Sequence, residues 1–190
     1  MGMTDFTEKY LLEKELDGYL EPGERLLWTG KPIQGLIFRI ADIFLIPFSL
    51  LWAGGAFFGA ITTLREGVYF FSLFLIPFVC MGIYITIGRF IHDIQSRKHT
   101  IYGITEERVL IRSGIFKTKI KSLSIRNLPS ISVTHEKDGR GSIFLGPAEY
   151  KPFAFQGQWP GMHEGPKLER IDDVKSVYSR LIEIQRKNKL

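Results

Sequence analysis

The sequence predicts an α+β protein: a two-helix transmembrane hairpin followed by an antiparallel β domain that ends in a capping helix. Three observations carry that prediction. Two 22-residue runs, Ile43–Leu64 and Gly67–Gly88, hold no charged side chain. After His99 the pattern changes to short alternating runs broken by turn signals. The last segment shows an apolar stripe at helical spacing.

The chain opens on residues 5–20, where Phe6, Tyr10, Leu12, Leu16 and Tyr19 recur near helical period. This short amphipathic helix is net acidic together with its surroundings: residues 1–36 carry four basic and seven acidic groups. Packing on the cytoplasmic domain therefore suits it better than docking on anionic lipid. Glu21-Pro22-Gly23 is a turn, Arg25–Thr29 reads as a short strand, and Gly30-Lys31-Pro32 breaks the chain again.

The two uncharged runs come next. At 1.5 Å per residue each gives a helix of roughly 33 Å, enough for a hydrocarbon core of roughly 30 Å. About forty mostly polar residues precede the first run, so it does not read as a cleaved signal peptide. The connecting turn, Leu64-Arg65-Glu66-Gly67, is short and forces an antiparallel hairpin. It holds one basic residue, whereas the other ends of the spans are flanked by Arg25, Lys31, Arg39, Arg89, Arg97, Lys98 and Arg108. The positive-inside rule then puts both termini in the cytoplasm. The division is an N-terminal cytoplasmic segment at 1–36, transmembrane helices at 37–64 and 67–90, and a cytoplasmic domain at 95–190.

Within the first span, Ser49, Ala53, Ala56 and Ala60 form a small-residue strip beside a Gly55-to-Gly59 GxxxG spacing, which allows close helix approach. The second span of the same chain is the favoured partner of one face, with oligomerisation left open. The antiparallel hairpin brings Arg39 and Asp42 level with Arg89 and Asp93, and an Asp42–Arg89 contact is expected because boundary charges must pair or snorkel. FLIPF occurs at 44–48 and again at 74–78. Its two prolines lie at different depths and the flanks do not match, so the recurrence is compositional rather than an inverted repeat. Pro47 fits the opening turns, and Pro77 at mid-span is expected to kink the second helix.

Beyond His99 the candidate strands are 100–105, 108–113, 116–125, 131–136 and 141–145, with a further one at 153–156. Asp138-Gly139 is a hairpin signal. A helix from about Glu169 to Arg186 closes the chain on the stripe Ile171, Val174, Tyr178 and Leu181. Antiparallel strands ending in one amphipathic helix make a small barrel or sandwich capped by that helix.

Particular residues here resemble a family. Thr105–Gly114 reads T-x-x-R-V-L-x-x-x-G, Ser122–Ile131 reads SLSIRNLPSI, and Gly141–Ile143 reads GSI. Together they resemble the bacterial PH-like (pleckstrin-homology) domain of small membrane proteins. Upstream, the Pro-Gly-Glu turn, Leu27-Trp28, Asp42 before the first span and Gly88-Arg89-Phe90 after the second are similar to members that carry a two-helix hairpin before the PH-like fold. The resemblance implies a seven-stranded barrel closed by a C-terminal helix, on the cytoplasmic face of a bacterial inner membrane.

Chemistry of the catalytic kind finds no support. There is no GxSxG, HExxH or GxxxxGK[ST], the lone Cys80 lies inside a span, and the four histidines lack metal-ligand spacing. No enzyme activity and no cofactor are expected. Residues 89–190 carry nineteen basic and eleven acidic groups, and Arg108–Arg126 holds six basic residues without an acid. On a strand Lys117, Lys119 and Lys121 share one face, with Arg126 following. That face is either ordinary solvated surface or a non-specific contact with anionic lipid head groups. Nucleic acid is not expected, since stacking aromatics do not interleave with the basic residues. The aromatic loop 153–163 is either a docking surface or core. The sequence thus describes a non-enzymatic, membrane-anchored module that binds a protein partner or its own copies. The alternative is a small transporter or channel component using the two spans, although they lack the ionisable midplane residues such a role needs.

Overall fold

The computed structural model describes residues 3–38, 42–136, 138–146 and 165–188. Arg39, the candidate strand at 153–156 and the aromatic loop 153–163 lie outside them. Of the described residues, 35–94 form one compact unit, and the flanking segments 3–34 and 95 onward form a second.

The second unit begins with α1 (Met3–Asp17). Its Leu12 and Leu16, four residues apart and so on one face, bury against Ile101 and Leu26, while Tyr10 and Leu11 stay exposed. Strand β1 (Leu26–Gly30) pairs antiparallel with β2 (Ile101–Thr105), so the segment ahead of the apolar helices is part of the sheet. A module boundary at residue 95 leaves out both α1 and β1. Strands β3 (Arg108–Ser113) and β4 (Lys119–Ser124) complete a sheet ordered β1-β2-β3-β4. Every residue of β2 is buried, because α1 covers one face and the core covers the other. Gly103 permits this: an added Cβ would lie 2.8 Å from a Leu16 methyl and 3.0 Å from one of Leu26.

Strands β5 (Ile131–His135), β6 (Gly141–Leu145) and β7 (Lys167–Ile171) form a second antiparallel sheet. Helix α5 (Val174–Lys187) buries Val174, Val177, Leu181 and Ile184. They join Ile104, Val109 and Ile125 from the β1–β4 half and Ile143 and Leu168 from the other sheet in one core. Polar side chains tie the helix down from its middle and from its last turn. Arg180 donates to Leu27 O at 2.7 Å, and Gln185 donates to Ile125 O and Leu128 O at 3.2 and 3.1 Å.

Three expectations need correction. The seven described strands form two sheets of four and three rather than one hydrogen-bonded ring, which is the sandwich alternative of the residue reading and not the barrel implied by the resemblance. The last helix starts at Val174 instead of near Glu169, because Leu168 and Ile171 reach the core from a strand whose pairing with β6 shifts register between them. Ile171 therefore leaves the helical stripe, and Val177 and Ile184 take the buried places, with Tyr178 only half-buried. The third concerns β4, which begins at Lys119, so Phe116 and Lys117 belong to the β3–β4 connection.

The other unit is a helical hairpin. Helix α2 (Asp42–Arg65) is followed by a tight turn in which Val68 N donates to Thr63 O at 2.8 Å and Gly67 takes φ +79°. Helix α3 (Tyr69–Ile83) runs through Pro77 and passes into a π-helical turn, Tyr84–Gly88, and then α4 (Arg89–Lys98). Helix α2 and the continuous helical run Tyr69–Lys98 are each long and apolar enough to cross a membrane. Their outward side chains, among them Leu51, Phe58 and Phe70, are exposed.

Candidate functional site

The interface within the hairpin is built from small and hydroxyl side chains on facing stripes. Ser49 of α2 shares a 2.8 Å hydrogen bond with Thr86, and Thr63 shares one of 2.7 Å with Ser72 near the turn. Between these levels Ala53 meets Gly82 so closely that an added Cβ on Gly82 would lie 2.4 Å from that of Ala53. Each hydroxyl also returns to its own helix, Ser49 to Ile46 O and Thr86 to Gly82 O, so the buried polar groups are satisfied within the pair.

At the open end of the hairpin Arg89 donates to Asp42, and both side chains are buried, 4% and 5% exposed. The Arg89 guanidinium also stands 4.7 Å over the Phe90 ring, which in turn packs on Phe38. Asp93 follows one turn later in α4, half-buried. The structure thus brings Asp42 and Arg89 together in the hairpin.

The two glycines of the GxxxG spacing have different surroundings. Gly59 approaches Leu75, whose methyl would lie 3.1 Å from an added Cβ, whereas nothing stands within 4 Å at Gly55. Gly55 instead floors an open groove of about 350 Å³ walled by Trp52, Phe74 and Phe78. Sequence reading placed Ala53 in the packing strip but missed Gly82, its partner 29 residues further along the chain. The signal available was the heptad-like row Ser72, Gly82, Thr86 and Arg89, polar or small residues on an otherwise greasy helix.

The basic residues fall apart into three places. Lys119 and Lys121 are exposed and project from one face of β4, opposite Ser113 and Ile111 of β3. Leu123, which packs on the core, has the same parity, so the lysine side of β4 is its inward face carried past the end of the core. Ile120 takes the opposite face, paired with Arg112. Charges on the inward side of an edge strand also block pairing with a further strand. Lys117 sits in the connection, and Arg126 lies beyond the far end of β4, in the turn that follows Ser124.

A further polar site ties the N-terminal segment to the sheet. The Arg108 guanidinium grips Glu24 with two hydrogen bonds, 2.9 and 2.6 Å, and reaches Glu21 at 3.1 Å. Its hydrogen bonding to Glu24 holds that carboxyl down at about 2. Tyr102 of β2, buried in the core, accepts a hydrogen bond from the Glu169 amide, and burial pushes its hydroxyl pKa up. Among the described residues no group of three or more His, Cys, Asp or Glu side chains is arranged to hold a metal ion.

Residues 36–180 match the model of a protein family described as bacterial PH domain. The chain belongs to that family. The match spans more than half of the 190 residues, taking in α2 and α3 as well as strands β2 to β7. Comparison with curated proteins and with solved structures returned no match. Membership explains the architecture of the PH unit, two antiparallel sheets and a final helix, while α1 and β1 are joined to that unit by tertiary contacts ahead of the matched region.

In this bacterial PH protein the hairpin's close contact makes a direct prediction. Gly82→Leu is expected to force α2 and α3 apart at a cost of about 1–3 kcal/mol. Gly55→Leu, with open space at its Cβ, is expected to leave hairpin stability unchanged. Trp52 packs on Phe48 of its own helix and Phe78 of the other, so its emission during denaturation in mixed micelles reads both variants.

Proposed function

We propose that this protein is a membrane-anchored, non-enzymatic interaction module whose PH unit binds a protein partner, or further copies of itself, at the cytoplasmic face of a bacterial inner membrane. The observation that carries the reading is the apolar hairpin: two helices of spanning length, exposed and greasy on the outside, accompany a PH-family domain. In water such a surface would aggregate, whereas in lipid it is satisfied. The hairpin is a two-pass anchor with both chain ends in the cytoplasm, and it bends at Pro77, which gives no N–H to the preceding turn.

The polar pairs inside the hairpin support an anchor over a conduit. Ser49 with Thr86 and Thr63 with Ser72 use their hydroxyls on one another, and Arg89 donates to Asp42. A transport path needs such groups turned to a cargo.

The test has two parts. The full chain is expected to stay with membranes through alkaline extraction, and photocrosslinkers placed on the PH unit are expected to trap one recurring protein or a second copy in native membranes. Release by alkali would overturn the anchor. Ion flux through proteoliposomes of the purified chain would overturn the module reading in favour of a transporter or channel component.

A further inference from the structure

The β3–β4 connection carries Phe116, which is 95% exposed, more than the other large apolar side chains described. Its neighbours Lys117, Thr118 and Lys119 are exposed too, and Lys121 follows on the same strand face. The connection is tightly formed. Gly114 takes φ +126°, and an added Cβ there would fall 2.0 Å from Lys117 O, so the turn presents Phe116 in one direction rather than trailing as a loose end.

Strand register decides where this tip lies. Ile101 pairs with Arg112 and Ser113 with Lys119, so the tip projects from the end of the sheet at which β2 begins. Gly30 pairs with Tyr102, so β1 ends at that same edge. Residue 31, which leads toward α2, and Thr100, which follows α4, are therefore both at the end of the sheet that bears the tip. The two chain passages to the apolar hairpin and the lysine-flanked phenylalanine share one edge of the PH unit.

We infer that the 114–118 tip is a membrane-contacting finger: Phe116 enters the interface of the bilayer that holds the hairpin, and Lys117, Lys119 and Lys121 face its anionic head groups. This rests on the anchored reading above. An aromatic side chain in the interface with lysines at head-group level satisfies both chemistries at once, apolar burial for the ring and attraction for the ammonium groups. Short connections to the hairpin keep the lipid surface at high effective concentration, so a contact too weak to recruit a free domain still forms. Arg126, at the other end of β4, takes no part.

The experiment uses the full chain in nanodiscs holding one copy each, which removes contact with a second copy. An environment-sensitive dye is attached at Thr118→Cys in a Cys80→Ser background. In discs containing phosphatidylglycerol at about 0.1 M salt, where charges act over about 10 Å, its emission is expected to shift to the blue and to be quenched by lipids spin-labelled near the head group. Phe116→Glu is expected to abolish the shift, and Lys117→Glu with Lys119→Glu and Lys121→Glu to weaken it strongly. Discs of phosphatidylcholine alone should give a smaller shift. The same dye at Lys175→Cys, exposed on α5, sets the aqueous baseline. A chain that enters the discs but keeps that baseline at residue 118 overturns the finger alone. A shift that survives Phe116→Glu overturns it as well. A chain that does not enter the discs overturns the anchored reading and this inference with it.

Discussion

Replacing Arg89 by alanine is expected to destabilise the helical hairpin by about 3 kcal/mol, because it takes the guanidinium that Asp42 accepts from out of a site buried on both sides. The pair is almost wholly screened from solvent, and Arg89 in addition covers the Phe90 ring. A buried pair is worth little against a well-packed apolar replacement, so the double variant Asp42→Leu, Arg89→Met is expected to recover most of that loss. The pair therefore sets register at the open end of the hairpin more than it adds stability. Denaturation in mixed micelles, read by Trp52 after Trp28 and Trp159 are changed to Phe, measures both variants. A cost for Arg89→Ala no larger than that of an exposed lysine, below about 1 kcal/mol, would sink the argument.

Acid is expected to weaken the PH unit through Glu24. Its carboxyl titrates at about 2 in the folded chain against an ordinary 4.5, chiefly because Arg108 hydrogen-bonds the charged form. A depressed carboxyl contributes stability that is fully present above the unfolded value and is lost as pH falls through the folded one. The window is therefore pH 4.5 down to about 2. At about 1.4 kcal/mol per pH unit the upper bound is about 3 kcal/mol. Glu24 is 9% exposed and Arg108 19%, so screening reduces this only in part. Glu24→Gln is expected to lower stability at neutral pH and to flatten the loss across that window. The probe is Trp28 on β1, which packs against the core, in a chain with Trp52 and Trp159 changed to Phe. Equal acid sensitivity in wild type and Glu24→Gln would overturn the assignment.

Much of the fold was legible because it depends on local pattern. Short runs bounded by turn signals marked β2, β3, β5 and β6 within a residue or so. Charge-free length marked α2 and α3 in the same way. Where the chain was misread, the pattern was ambiguous or the deciding partner was far off. Lys167–Ile171 shows apolar residues three apart, which suits a helix as well as a strand, and pairing with β6 settles it. The face bearing Lys119 and Lys121 reads from its charges as solvated or head-group-facing surface. Leu123 reaches the core all the same, since β3 carries Val109 opposite it.

The sequence by itself determined the composition of the protein: a pair of apolar helices, an alternating β region, a closing amphipathic helix and the absence of known catalytic motifs. It also made Asp42 and Arg89 candidates for one another, because a short turn fixes antiparallel register. Only the tertiary structure decided that Gly82 rather than Gly55 is the close-packing glycine, that Glu24 and Arg108 join segments 84 residues apart, and that Phe116 stands out at the edge where both passages to the hairpin leave the sheet. Periodicity says which way a side chain faces along its own element. What it meets there depends on the register of chain far away in sequence, which local spacing does not encode.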